Sequence, residues 1–289
     1  MIPEREPGEP GEELPLTAGF AVVLALGAAY LQFAIFVVPV IFDWAHPAAL
    51  QSPARLGIAA ILAYGGAFAL ATRRIHDAPG QVLGFVRSPR QGWMAALLLL
   101  PSIVLISEID NIFKLLLPVV AAADTPAVEG LYLVEWAVFL IAVLPVVEEV
   151  FFRGLLQPPL QPPLVQAWGR TRGVLACAAI AGIAFSVGLL NYAMFPIVAA
   201  RGLLLGMLRE SAGSLLPGLV LNVTFGAVAV LAMRSFFGIP GFDDSSSAHT
   251  PLLWLAPAAI STGAAIGLCR ALLRAREQIA RAESADGDA

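Results

Sequence analysis

Apolar positions along this chain fall in long runs rather than in alternation. Eight runs stand out, at about 17–42, 54–72, 92–107, 131–150, 173–190, 194–208, 214–234 and 251–273. Each approaches the roughly 20 residues that a helix needs to cross a bilayer. Strands buried on one face would alternate apolar and polar positions instead. The pattern therefore predicts an all-α polytopic membrane bundle of about eight transmembrane helices. Residues 111–122 (NIFKLLLPVVAA) are apolar but short and contain Pro118, which suits an interfacial or re-entrant piece. The duplicated QPPL at 157–164 carries paired prolines, which predict a helix end followed by an extended turn. All five tryptophans (44, 93, 136, 168 and 254) lie at or near segment ends, where an aromatic belt places them.

Composition strengthens this picture. Of 289 residues, 58% are hydrophobic and 13% charged, with a mean hydropathy of +0.81. A soluble domain is nearer 25% charged, so most soluble enzymes are excluded. Seventeen basic against 21 acidic residues give a net charge of −4, which excludes a polybasic nucleic-acid binder. Residues 1–16 are acidic and rich in proline and glycine. They are expected to be a disordered leader without the basic start of a signal peptide, so that the first run is a retained span. A single helical membrane domain over 17–276 and a polar tail over 277–289 complete the expected organisation. With both termini cytoplasmic, 13 of the 17 basic residues fall inside; Arg55, Lys114 and Arg234 fall outside, and Arg201 lies within a span. That bias predicts the N-in, C-in orientation, in the plasma membrane, with membrane lipids as neighbours. The segment RALLRAREQIAR reads as a basic helix at the inner leaflet. Gly263 and Gly267 stand at GxxxG spacing, a weak pointer to a helix contact.

Candidate chemistry lies in the charges a membrane resists. The fourth run ends LPVVEEVFFRGLLQ, with Glu148, Glu149 and Arg153. Each such charge costs about 2.5–3.5 kcal/mol at a span centre. On an α-helix Glu149 and Arg153 share a face at i,i+4, and Glu148 is rotated by about 100°. Arg201 sits mid-run in MFPIVAARGLLLGML. It either pairs with Glu148 or Glu149 or snorkels along a tilted helix. Cys177 and Cys269 lie in apolar runs and read as small buried residues. His46, His76 and His249 fall in predicted loops without ligand spacing, and there is no HExxH, so neither a zinc site nor any other cofactor is expected.

The stretch Glu148-Glu149 to Arg153, continued as FFRGLLQ, resembles the first motif of the CPBP family of intramembrane endopeptidases, which includes the type II CAAX prenyl proteases. FPIVAARGLLLGMLRESAGSLLP (195–217) resembles that family's glycine-containing helix and the turn before its last core helix. The resemblance covers about residues 131–234. It implies an eight-helix fold, a cavity open to the cytoplasm, and a prenylated or hydrophobic peptide as substrate. In the family a first glutamate and a histidine of FxxxH activate water, while HxxxN or HxxxD supplies oxyanion donors. Mapped onto this chain, Glu148 is the base and Glu149 with Arg153 the positioning pair. Phe152, Phe185, Leu189, Arg201 and Gly226 line the cavity. Leu189 stands at the FxxxH histidine position, two residues before Asn191. Asn222 stands at the third-motif histidine and keeps a donor, and Gly226 stands at the Asn/Asp position. Three functions remain open: a slow endopeptidase, a non-catalytic scaffold that binds peptide or lipid, and a transporter-like polar pathway.

Overall fold

Runs of apolar residues with no water to satisfy their backbone must close their hydrogen bonds internally, and helices do so within one segment. The computed structural model describes residues 17–42, 52–73, 80, 83–116, 130–188, 195–243 and 248–287. Among them run eight helices: α1 (Ala18–Ile41), α2 (Pro53–Thr72), α3 (Arg90–Leu116), α4 (Gly130–Trp168), α5 (Arg170–Gly188), α6 (Phe195–Ala212), α7 (Leu216–Ala232) and α8 (Leu252–Gly287). The fold is all-α. The helices α1, α2, α3 and α4 and the part of α8 over Leu252–Ile279 are long and apolar enough to cross a membrane, and α7 is a shorter apolar helix. By these lengths and hydropathies the protein is a multi-pass membrane protein. Thr17 and Ser52 cap α1 and α2, each side-chain oxygen accepting a backbone N–H three residues on, at 3.3 Å.

Three elements depart from the sequence expectation. Residues 111–116 are not a separate interfacial piece but continue α3, which is interrupted at Leu100–Pro101 and resumes from Ser102. Lys114 pairs with Asp110 of the same helix at 2.7 Å, and Asn111 donates to Glu108 at 3.1 Å and to the Gly241 carbonyl at 2.6 Å. Residues 117–122 lie outside the described set.

The prolines of QPPL do not end α4, which runs to Trp168 and stops at Gly169 with φ 76°. At the first pair the reason is a change of register. Glu148–Leu156 is π-helical, and the N–H of Gln157 still bonds back five residues, to Phe152. Pro158 and Pro159 follow where the ladder returns to i→i+4, so their missing N–H groups interrupt little.

Finally, Gly263 and Gly267 have open space where a side chain would stand, so no helix packs on them. The basic segment after the last run is not a separate helix either, since α8 continues through it to Gly287. That helix takes in most of the segment expected to be a polar tail, and the expected leader lies outside the described residues.

What positions the site is the crossing of α4, α5, α6 and α7. Gly182 of α5 and Gly202 of α6 meet back to back. A Cβ at Gly202 would stand 2.5 Å from the Gly182 Cα and 3.0 Å from Nη2 of Arg153. Only the absence of side chains lets these backbones close around a guanidinium. Beside them, Tyr64 of α2, Phe151 and Phe152 of α4 and Phe185 of α5 form an aromatic cluster with ring centroids 4.9–5.4 Å apart. Phe152 and Phe185, expected along the cavity, are both buried in this cluster.

Candidate functional site

The π-turn decides which charges meet. In a turn closed by i→i+5 bonds, the residue five positions on comes round over its predecessor. Arg153 therefore donates from Nη2 to Glu148 Oε1 at 2.8 Å and from Nη1 to the Glu148 carbonyl at 3.2 Å. Its approach to Glu149, the i,i+4 partner expected from α-helical spacing, is only 4.0 Å. Across the crossing, α6 brings Arg201 to the other oxygen of Glu148, with Nη2 at 2.7 Å from Oε2. From α7, Nδ2 of Asn222 donates to Glu148 Oε2 at 3.0 Å and to Glu149 Oε1 at 3.4 Å. With two carboxylates in reach, the nitrogen end of that amide is the end that must face them.

The cluster is enclosed. Glu148, Glu149, Arg153 and Asn222 are each 0% exposed, and the Arg201 side chain is 13% exposed. Two carboxylates against two guanidiniums make it neutral, which is the condition for keeping four charges out of water. Four polar atoms of the cluster have no hydrogen-bond partner among the described residues: Oε2 of Glu149, Oδ1 of Asn222, and Nε of Arg153 and of Arg201. Gly218 of α7 lies against that free carboxylate oxygen, and a Cβ there would stand 2.8 Å from it. Neither Gly218 nor Gly202 was singled out by sequence. The signal available was their position one turn or less from Asn222 and Arg201. Elsewhere, a cavity of about 330 Å³ lies between α3, α7, α8 and the loop after α7, lined by Leu100, Val104, Val228, Phe237, Phe242 and Trp254 among others. It is apolar and none of the charged cluster lines it.

Residues 130–228, from the first turn of α4 into α7, match the family model of the type II CAAX prenyl endopeptidase, Rce1-like. The chain carries a domain of this endopeptidase family. No curated protein and no solved structure matches it. The Rce1-like domain holds every member of the charged cluster, while α1, α2, α3 and α8 lie outside it.

Within this domain the other motif positions fare differently. Gly226 packs directly on the Leu140 carbonyl. A Cβ at this position would collide with that oxygen and stand 2.7 Å from the Leu140 carbonyl carbon. The position expected to match the third motif's Asn/Asp is thus closed by backbone, at the first π-turn of α4, Phe139–Val143. Leu189 and Asn191 lie outside the described residues, as do His46 and His76. His249 sits beyond the domain, 2.6 Å from Glu108 of α3. Among the described residues there is no group of three His, Cys, Asp or Glu side chains that could hold a metal ion. Cys177 and Cys269 are both buried and unbridged.

Proposed function

We propose that this protein is a non-hydrolytic member of the Rce1-like endopeptidase family, in which the inherited carboxylate serves as a structural post. The polar crossing then supports a membrane protein that holds a hydrophobic peptide or lipid chain. One observation carries this reading: both oxygens of Glu148 are taken. Oε1 accepts from Arg153 and Oε2 from Arg201 and Asn222. A general base needs a lone pair directed at the water it activates, and here three donors compete for those lone pairs. The residues that would complete the chemistry point the same way. Leucine stands at the FxxxH histidine position, and Gly226 offers no oxyanion donor.

A second reading has an observation of its own. Oε2 of Glu149 and Oδ1 of Asn222 are both buried with no hydrogen-bond partner among the described residues. Those two acceptors are where a water would be held, and Glu149 would then be the base of a slow endopeptidase. Incubating the purified full-length protein in lipid nanodiscs with a prenylated CAAX peptide separates the two. We expect no cleavage above background, with the peptide still retained by the protein. Cleavage that is lost in Glu149→Gln would establish the second reading; cleavage lost only in Glu148→Ala would restore the family mechanism and overturn both.

For the membrane setting, the basic-residue bias supports eight bilayer helices with both termini cytoplasmic, in the plasma membrane. Since Cys177 and Cys269 are buried, single introduced cysteines can report sidedness. Gln91 and Ser235 are both exposed. In intact cells, Ser235→Cys is expected to react with a membrane-impermeant maleimide, and Gln91→Cys only after permeabilisation. The reverse pattern would invert the topology.

A further inference from the structure

The polar seam on the α4–α6 crossing does not stop at Arg153. One turn on, Gln157 donates from Nε2 to the Gly206 carbonyl at 3.0 Å and to Glu210 Oε1 at 3.1 Å. Glu210 is buried at the end of α6. It is met there by Arg209 at 3.1 Å on the same oxygen, and its carbonyl accepts from Arg276 of α8 at 3.1 Å. The Arg276 guanidinium lies flat on Gly213, whose φ of 65° and missing side chain make the room. Arg170, the first residue of α5, and Arg209 are both within electrostatic reach of Arg276.

Arg209 thus meets the Glu210 carboxylate and Arg276 its carbonyl, while Arg170 stands near Arg276. Two of their donors, Nε of Arg170 and Nε of Arg209, are buried with no hydrogen-bond partner among the described residues. A buried cationic donor without an acceptor is costly, and an anion with several oxygens is what satisfies such a group. The surroundings are apolar. Trp168 is two residues before Arg170, Ile279 is three after Arg276, and Phe85 and Val86 are on the segment whose Gly84 lies against Arg209; all four are exposed. Ser214 Oγ donates to the Val86 carbonyl at 2.6 Å, and Leu215 N to that of Gly84 at 2.9 Å, fixing this segment beside the cluster.

We propose that Arg170, Arg209 and Arg276 form a binding site for the phosphate of an anionic phospholipid headgroup, at the end of the bundle where α5, α6 and α8 meet. The apolar rim favours a lipid over a free phosphate ion, since acyl chains can lie along Trp168 and Ile279 while the headgroup enters the arginines. Basic pockets between membrane helices bind anionic headgroups by this combination. The site stands apart from the question of hydrolysis, because none of its members touches the Glu148 carboxylate.

Native mass spectrometry of the full-length protein in zwitterionic detergent, titrated with phosphatidylglycerol or with phosphatidylcholine of the same chains, tests this. Phosphatidylglycerol should bind about tenfold more tightly or better, from the attraction of the clustered arginines. Arg170→Gln and Arg209→Gln should each weaken it about fivefold, and Arg170→Lys should restore part of the loss. Arg170→Gln also serves where Arg209→Gln fails to fold, since Arg170 makes no ion pair with Glu210. Arg172 and Arg274 are exposed neighbours outside the cluster, so Arg172→Gln and Arg274→Gln should change binding less than about twofold. Equal binding of the two lipids overturns the proposal. So does an equal loss in Arg172→Gln, which would mean diffuse surface attraction, or full displacement of the lipid by inorganic phosphate, which would mean a free-anion site.

Discussion

Glu148→Gln is expected to cost about 3–5 kcal/mol of stability, the range found when one partner of a buried ion pair is removed. The glutamate carries two guanidiniums, Arg153 at 2.8 Å and Arg201 at 2.7 Å. Glutamine has the same shape but offers one oxygen, and its amide nitrogen would face a guanidinium or the Asn222 nitrogen. Two buried cations would then share Glu149, which lies 4.0 Å from Arg153 and accepts from Asn222 at only 3.4 Å. Glu149→Gln is expected to cost far less, about 1 kcal/mol, because Oε2 of Glu149 has no hydrogen-bond partner among the described residues. Denaturant titration in detergent, followed by intrinsic fluorescence, reads both. A Glu148→Gln protein as stable as the parent would remove the structural post, and with it the main argument against Glu148 as a base.

The second large effect belongs to Gly226→Asn, which restores one residue of the third motif expected in α7. Its Cβ would meet the Leu140 carbonyl, with the Ile141 Cα at 3.2 Å. Both opposing atoms are backbone of a π-turn in α4, so no side chain can swing aside. Overpacking against fixed structure costs about 3 kcal/mol. Restoring the motif residue is therefore expected to lower the unfolding midpoint sharply without producing cleavage of a prenylated peptide. A Gly226→Asn variant that keeps its stability would show that α4 and α7 can move apart, and would reopen the oxyanion position. The contrast is informative because Asn222, one turn earlier on the same helix, fits with its side chain buried.

These two residues also mark where reading along the chain succeeds and where it stops. Glu148, Glu149, Arg153, Arg201 and Asn222 are legible one by one, because a charge inside an apolar run or a departure from a motif is visible locally. Their pairing is not. Spacing of four joins Arg153 to Glu149, yet the π-turn joins it to Glu148, one position back. The prolines at 158 and 159 were the local trace of that turn, but by themselves they argue for a helix end. Gly202, Gly206, Gly218 and Gly226 look alike in a glycine-rich membrane chain. Only their neighbours reveal that the four face Arg153, Gln157, Glu149 and the Leu140 carbonyl. The cluster of Arg170, Arg209 and Arg276 draws on three helices, so no window of sequence contains it.

The linear order of side chains was enough to determine the helices, the membrane class and the endopeptidase ancestry, since hydropathy, helix length and a contiguous motif are all properties of neighbours in the chain. Tertiary structure alone decided that both oxygens of Glu148 are occupied, that position 226 is sealed, and that Arg209 and Arg276 meet on Glu210 at the end of α6. Each of those depends on how closely two backbones approach, a distance of an ångström or two set by packing across helices that lie far apart in sequence.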